Sequence, residues 1–164
     1  MNCESRIALF PGSFDPFTRG HQALVERALP MFDKLVIAIG INRAKKGWMP
    51  VEERLERLER LYAEEPRIEV VTYETLTMDL AAQYGAKYIL RGVRSVTDFE
   101  YERNLDRINR ELYPELHTIF IIAPTEVEHI SSSLVRELHS FNHDTKSLLP
   151  EGIVLEEYLT HENK

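Results

Sequence analysis

Cysteine is almost missing from this chain: Cys3 is the only one among 164 residues. A lone thiol cannot close a bridge within the chain, so no disulfide framework staples the fold, and a reducing cytosol is the compartment it fits. Metal-ligand spacings are missing as well, since there are no paired cysteines and no H-E-x-x-H run. Long apolar runs are scarce. The longest, Thr118–Ala123, is strand-sized, far below the roughly 20 residues of a membrane helix. The N-terminus also lacks the charged-then-apolar order of a secretory signal. A soluble, cytoplasmic protein with no membrane partner is the expectation. Positive charge is in deficit, 20 Lys and Arg against 27 Asp and Glu for a net charge of -7, which argues against general binding of a nucleic-acid backbone. The cations that matter must therefore be local. G-x-G-x-x-G, Walker and G-x-S-x-G patterns do not occur, nor do tandem repeats or low-complexity stretches.

What is present is an ordinary globular composition on a chain long enough to bury most of its unfolded surface, so residues 1–164 are expected to form a single domain. Short β-branched runs alternate with segments of helical period. Strands are expected at Arg6–Phe10, Lys34–Ile41, Ile68–Thr72, Tyr88–Leu90 and Thr118–Ile122. Helices are expected from Gly20 to about Met31, from Pro50 to before Pro66, over Met78–Tyr84, Asp98–Leu112 and Ser131–His139, and over Glu151–Leu159. On the fourth of these, Tyr101, Leu105, Ile108 and Leu112 form one apolar stripe. The alternation predicts an α/β, Rossmann-like, doubly wound parallel sheet of five strands with helices on both faces. In such sheets ligands sit at the carboxyl ends of the strands, near a reversal of strand order. The unusual segments, Pro11–His21, Asn42–Trp48, Arg91–Arg94 and Glu126–Ser133, all follow predicted strands and can meet at that edge.

Each segment has a chemistry and also an ordinary explanation. Thr18-Arg19-Gly20-His21 opens a helix, whose unpaired N–H groups and dipole favour an anion. Gly20 allows a phosphate near the backbone, and His21 can donate into the same space. The alternative is a histidine that packs or caps. Ile130-Ser131-Ser132-Ser133-Leu134-Val135-Arg136 places three hydroxyls at another helix start, where a capped helix explains the serines equally well. Arg91-Gly92-Val93-Arg94 suits phosphate oxygens, or is a solvated surface turn. Lys45 and Lys46 in the loop after the second strand are ordinarily solvent-facing.

In combination the segments are far more specific. Pro11-Gly12-Ser13-Phe14-Asp15-Pro16, Thr18-Arg19-Gly20-His21, Lys45-Lys46, Glu52-Glu53-Arg54, Arg91-Gly92-Val93-Arg94, Asp98-Phe99-Glu100-Tyr101-Glu102 and Ile130-Ser131-Ser132-Ser133 occur in that order. With them the chain, from Ile7 to about Pro150, closely resembles the bacterial phosphopantetheine adenylyltransferases of the H/T-x-G-H nucleotidyltransferase superfamily. The run from Arg91 to Glu102 is the part that resembles this family rather than the wider superfamily.

The resemblance implies transfer of AMP from ATP to 4′-phosphopantetheine, giving dephospho-coenzyme A and pyrophosphate. It implies His21, Lys45 and Arg94 as catalytic groups. Ser13, Phe14, His21, Gly92, Val93, Arg94, Glu102, Val127, Ile130, Ser131, Ser132 and Ser133 are implied for ATP. Ser13, Lys45, Thr77, Arg91 and Glu137 are implied for the acceptor. Mg2+, a homohexamer and feedback inhibition by coenzyme A belong to the same expectation; no protein metal ligands are assigned. Two positions depart from the commonest pattern: Thr18 stands where histidine opens the signature, a variant also found in the family, and Val127 stands where relatives often carry an aromatic residue near adenine. The rival readings are a related enzyme for another phosphorylated acceptor, such as nicotinate mononucleotide or glycerol 3-phosphate, and a non-catalytic nucleotide-binding protein.

Overall fold

The strands are apolar on both sides because helices cover both sides of the sheet. In the computed structural model, which describes residues 5–44 and 46–155, five strands form one parallel sheet. They are β1 (Ile7–Gly12), β2 (Lys34–Gly40), β3 (Ile68–Tyr73), β4 (Tyr88–Val93) and β5 (His117–Ile122), in the order β3-β2-β1-β4-β5. The helices between and after them are α1 (Arg19–Ala28), α2 (Val51–Leu61), α3 (Thr77–Tyr84), α4 (Val96–Leu112) and α5 (Ser132–Ser140). One face buries Leu24, Val25, Leu58 and Val135 of α1, α2 and α5 against Phe10, Ile37, Leu90 and Ile121. The other buries Leu80 and Ala81 of α3 against Leu9, Val36 and Ile89. This is the doubly wound, Rossmann-like α/β fold expected from the sequence.

The order reverses between β1 and β4, and there the sheet opens. β1 pairs with β2 through Gly12↔Ile39, but with β4 only at Ala8↔Tyr88 and Leu9↔Ile89. Beyond Leu9 the two central strands part, which leaves a cleft at their carboxyl ends. Pro11, which has no N–H to give, is tolerated in a central strand because its β4 partner has already diverged.

Several boundaries differ from expectation. β1 runs on to Gly12 instead of stopping at Phe10. The expected first helix ends at Ala28, where Pro30 turns Leu29–Met31 into a short 3-10 segment. β4, expected to stop at Leu90, continues through Arg91-Gly92-Val93, which pair with Phe120, Ile121 and Ile122, so only Arg94 of the arginine segment lies past the strand. α4 starts two residues early because Ser95 Oγ accepts from the Asp98 N–H. Residues 151–155 are turn and irregular structure, not the start of a helix, and the rest of that expected helix lies outside the described residues. The expected stripe on α4 exists but faces outward: Tyr101, Leu105, Ile108 and Leu112 are 63%, 37%, 57% and 66% exposed. Among the described residues, no helix is long and apolar enough to cross a membrane.

Candidate active site

The turn Pro11–Pro16 leaves β1 at the cleft and is held from three directions. Arg54 Nη1 of α2 donates to the Ser13 carbonyl (2.6 Å), Arg136 Nη1 of α5 to the Asp15 carbonyl, and Ser132 Oγ to the Pro16 carbonyl (2.8 Å). Three carbonyls of one short turn thus find side-chain partners, as buried backbone groups must. Phe14 takes φ of 47°, and its ring closes on Gly12, where an added Cβ would lie 2.8 Å from it. Glycine is needed there for close approach.

α1 then begins at a full capping box. The His21 N–H donates to Thr18 Oγ1 (3.4 Å), and the Thr18 N–H donates to His21 Nδ1 (3.0 Å). A ring nitrogen that accepts carries no proton, so the neutral imidazole holds its proton on Nε2. Phe14, Phe17 and Phe10 surround the ring, at centroid distances of 5.2, 5.3 and 6.4 Å. Burial among them, and then the charge of Arg94, pushes the imidazole from 6.5 down to about 4. His21 is therefore a neutral donor at pH 7, oriented by its own helix cap.

The amino end of α5 lies beside that of α1. An added Cβ on Gly20 would stand 2.9 Å from the Ile130 carbonyl. Gly20 thus serves first to let the two helix ends approach; expected as an opening for phosphate, it is a buried contact that also borders the cavity. The serines divide their tasks. Ser131 Oγ caps α5 through the Leu134 N–H, Ser132 holds the Pro16 carbonyl, and Ser133 Oγ accepts from Arg136. Ser131 and Ser133 use only lone pairs in these bonds, so each keeps an O–H to donate.

A cavity of about 310 Å3 lies where these pieces meet. Its lining includes Ser13, Phe14, His21, Gly92, Arg94, Val127, Ile130 and the three serines, together with Arg91, and it contains no carboxylate. The first turns of α1 and α5 hold no acidic residue, whereas α2, α3 and α4 begin with Glu52 and Glu53, Asp79 and Asp98. The two helix ends at the cavity therefore keep their partial positive charge uncompensated. Val127 supplies a buried apolar wall.

A second cavity of about 210 Å3 adjoins it on the α3–α4 face and shares Pro11 and Arg91 with the first. Thr77, Met78, Glu102, Leu105, Asp106 and Asn109 also line it. Arg91 stands at the junction. It makes a two-pronged ion pair with Glu102, Nε to Oε2 at 2.8 Å and Nη2 to Oε1 at 2.5 Å, and Nη1 donates to the Pro11 carbonyl (3.2 Å). Thr77 Oγ1 bonds the Tyr73 hydroxyl (3.0 Å).

Most residues singled out from the sequence come together here. Glu102, implied for ATP, borders the second cavity and pairs there with Arg91, which lines both. Val93 is buried in β4 and borders neither cavity. Glu137 is exposed on α5 and borders neither. Arg94 borders the first cavity and pairs with Asp98 (Nε to Oδ2, 3.3 Å). Lys45 lies outside the described residues, and Lys46 is exposed. Sequence reasoning assigned no role to Phe10, Phe17, Asp15, Arg54 or Arg136. The signal was there in part: three phenylalanines bracket the proline-rich turn just before His21.

A family model described as cytidylyltransferase-like matches residues 9–138. The phosphopantetheine adenylyltransferase of Porphyromonas gingivalis strain W83 is 51% identical over 93% of this chain and 99% of its own length. Those of Phocaeicola vulgatus and Clostridium perfringens are 48% and 42% identical, over 92% and 91% of this chain and 99% and 91% of their own lengths. With its reversal-point cavity, its capped histidine and this similarity along nearly its whole length, the chain belongs to the bacterial phosphopantetheine adenylyltransferase family.

Proposed function

We propose that this enzyme transfers the adenylyl group of ATP to the phosphate of 4′-phosphopantetheine, releasing dephospho-coenzyme A and pyrophosphate. The observation that carries the reading is the first cavity: two helix amino ends, His21, Arg91 and Arg94, with no carboxylate in the lining. That is a cradle for a polyanion at a reversal of strand order.

An oxygen of the acceptor phosphate attacks the α-phosphorus, and the bond from that phosphorus to the bridging oxygen of pyrophosphate breaks. The attacking group is already an anion and needs no general base. The barrier lies in bringing two anions together and in the charge gathered on the α-phosphate oxygens, so positioning and fixed donors do most of the work. His21 Nε2–H donates to an α-phosphate oxygen as that charge develops. Arg94 and the amino ends of α1 and α5 hold the pyrophosphate end. Ser13 and Phe14 meet the nucleotide from the turn, Gly92 follows it on β4, and Val127 and Ile130 give apolar contact toward adenine. Arg91 and Lys45 hold the acceptor phosphate, with Glu102 fixing the guanidinium between the two ligands. The pantetheine arm runs into the second cavity past Thr77, whereas Glu137, exposed on α5, borders neither cavity.

Mg2+ belongs to this reading through the triphosphate. Among the described residues no group of three or more His, Cys, Asp or Glu is arranged to hold a metal, and the first cavity offers only hydroxyl and carbonyl oxygens. A Mg2+ held chiefly by substrate phosphates and water fits that donor set, and it supplies charge neutralisation on the triphosphate when bound. The outward apolar stripe of α4 supports self-association, which we read as a homohexamer. Coenzyme A, which shares the acceptor's arm and the product's nucleotide, is the expected feedback inhibitor. We read the chain as one cytoplasmic domain.

The test is an acceptor panel with ATP and Mg2+, read by pyrophosphate release. 4′-Phosphopantetheine should be used at least about 100-fold better than nicotinate mononucleotide or glycerol 3-phosphate, because only it fills the second cavity. Equal use of all three would refute the assignment of acceptor.

A further inference from the structure

Asp15 is buried, yet its carboxylate takes no part in shaping its own turn. Both oxygens reach across the chain to the loop after β2: Oδ2 accepts from the Trp48 N–H (2.7 Å) and Oδ1 from the Met49 N–H (2.9 Å). The turn is already held at the carbonyls of Ser13, Asp15 and Pro16 by Arg54, Arg136 and Ser132. Before Gly47 the loop is held by the Arg43–Glu74 ion pair (2.6 Å) and by the Ala44 N–H, which donates to Asn42 Oδ1 (2.9 Å), neither of which ties it to the turn. Residues 42–44 and 46–48 are exposed. At its far end the Trp48 ring rests edge-on against His139 of α5 (5.2 Å). At Gly47 the loop lies flat over the turn: an added Cβ would stand 3.2 Å from Arg54 Nη2 and 3.4 Å from Asp15 Oδ2.

We infer that Asp15 is a positioning residue that clasps the basic loop to the nucleotide turn and so holds the acceptor-phosphate side of the site in register with the ATP side. The inference rests on the adenylyl-transfer reading, in which that loop meets the acceptor phosphate. Two charge-assisted bonds to consecutive amides fix the loop's direction as well as its distance. A buried aspartate that served only to stabilise the turn would send its oxygens to the turn's own N–H groups.

Asp15→Asn keeps the size of the side chain and replaces one acceptor oxygen with a donor facing an N–H. The KM for 4′-phosphopantetheine should rise about tenfold while the KM for ATP stays within about threefold. Trp48 is the only tryptophan in the chain, so acrylamide quenching of its fluorescence reads the loop directly and should roughly double in the variant. Parallel rises in both KM values, an unchanged acceptor KM or unchanged quenching would each overturn the inference. If Asp15→Asn does not fold, amide exchange in the wild-type protein decides. The Trp48 and Met49 amides should exchange at least about tenfold more slowly than the loop amides before them, and slower again with 4′-phosphopantetheine. Exchange at the rate of the open loop would contradict the clasp. Failure of wild-type protein to make dephospho-coenzyme A would strike the adenylyl-transfer reading instead, and the quenching comparison would still test the clasp.

Discussion

The two cavities at the end of the sheet share one arginine and little else. The first has two uncompensated helix amino ends, a neutral histidine, Arg94 and no acid in its lining. The second has Glu102 and Asp106 in its wall beside Leu105, Asn109 and Thr77. The first lining suits phosphates, and in the proposed reading the second takes the neutral pantetheine arm. Parting β1 from β4 creates both, and the alternation of side chains along β4 sends Gly92 to one face and Arg91 to the other. The lesson concerns division of labour: turnover should depend on the first cavity, and recognition of the acceptor on the second and on Arg91 between them.

Substitutions can break that division. The largest effect is expected at His21. His21→Ala should lower kcat by about 10²–10³-fold, the usual loss for one such donor, with a much smaller change in ATP affinity. Near-normal turnover would remove the imidazole from the chemistry. Next comes Arg91→Ala, which should raise the KM for 4′-phosphopantetheine about 10- to 100-fold through loss of a charged phosphate contact. It also leaves the Glu102 carboxylate, now 12% exposed, without its partner, so Tm should fall as well. A loss of kcat with unchanged acceptor KM would reverse the roles of the two regions. Gly20→Ala should cost about 1–3 kcal/mol of stability and weaken ATP binding, because the methyl meets the Ile130 carbonyl and forces the helix ends apart. Thermal unfolding and ATP titration would check it, and tight ATP binding would show that the close approach is dispensable.

An effect of similar size is a pH dependence. His21 titrates at about 4 in the fold against 6.5 when unperturbed. Between those values the unfolded chain binds the proton and the folded one does not, so stability falls as pH drops through the window. The penalty is fully present below about pH 4 and absent above 6.5. His21→Gln should flatten this part of the acid limb by on the order of 1–3 kcal/mol. Urea unfolding at neutral and mildly acidic pH measures it, and an unaltered limb would mean that the imidazole is not held in its neutral form.

Much of this was readable from residue order. Alternating period and punctuation by Pro and Gly predicted the sheet, and the unusual segments do converge at its carboxyl edge. What could not be read depends on pairing over distance. Arg91-Gly92-Val93 looked like a turn because Gly and Arg end many strands, but the ladder to β5 carries β4 through them. The hold on the turn comes from Arg54 and Arg136, about 40 and 120 residues along the chain, at a separation no local pattern reports. The period of α4 identified its apolar stripe correctly, but periodicity does not say whether this chain or another covers it. The pairing of Arg91 with Glu102 across the strand–helix connection is likewise beyond what local sequence reports.

The central claim is that the first cavity activates an α-phosphate while the second delivers the acceptor. Incubating the protein with ATP, Mg2+ and 4′-phosphopantetheine, and following products by mass, tests it most directly. The account predicts dephospho-coenzyme A and pyrophosphate in equal amounts, with no AMP attached to the protein. Folded, ATP-binding protein that forms no dephospho-coenzyme A, or an adenylylated enzyme on the way to it, would contradict the account.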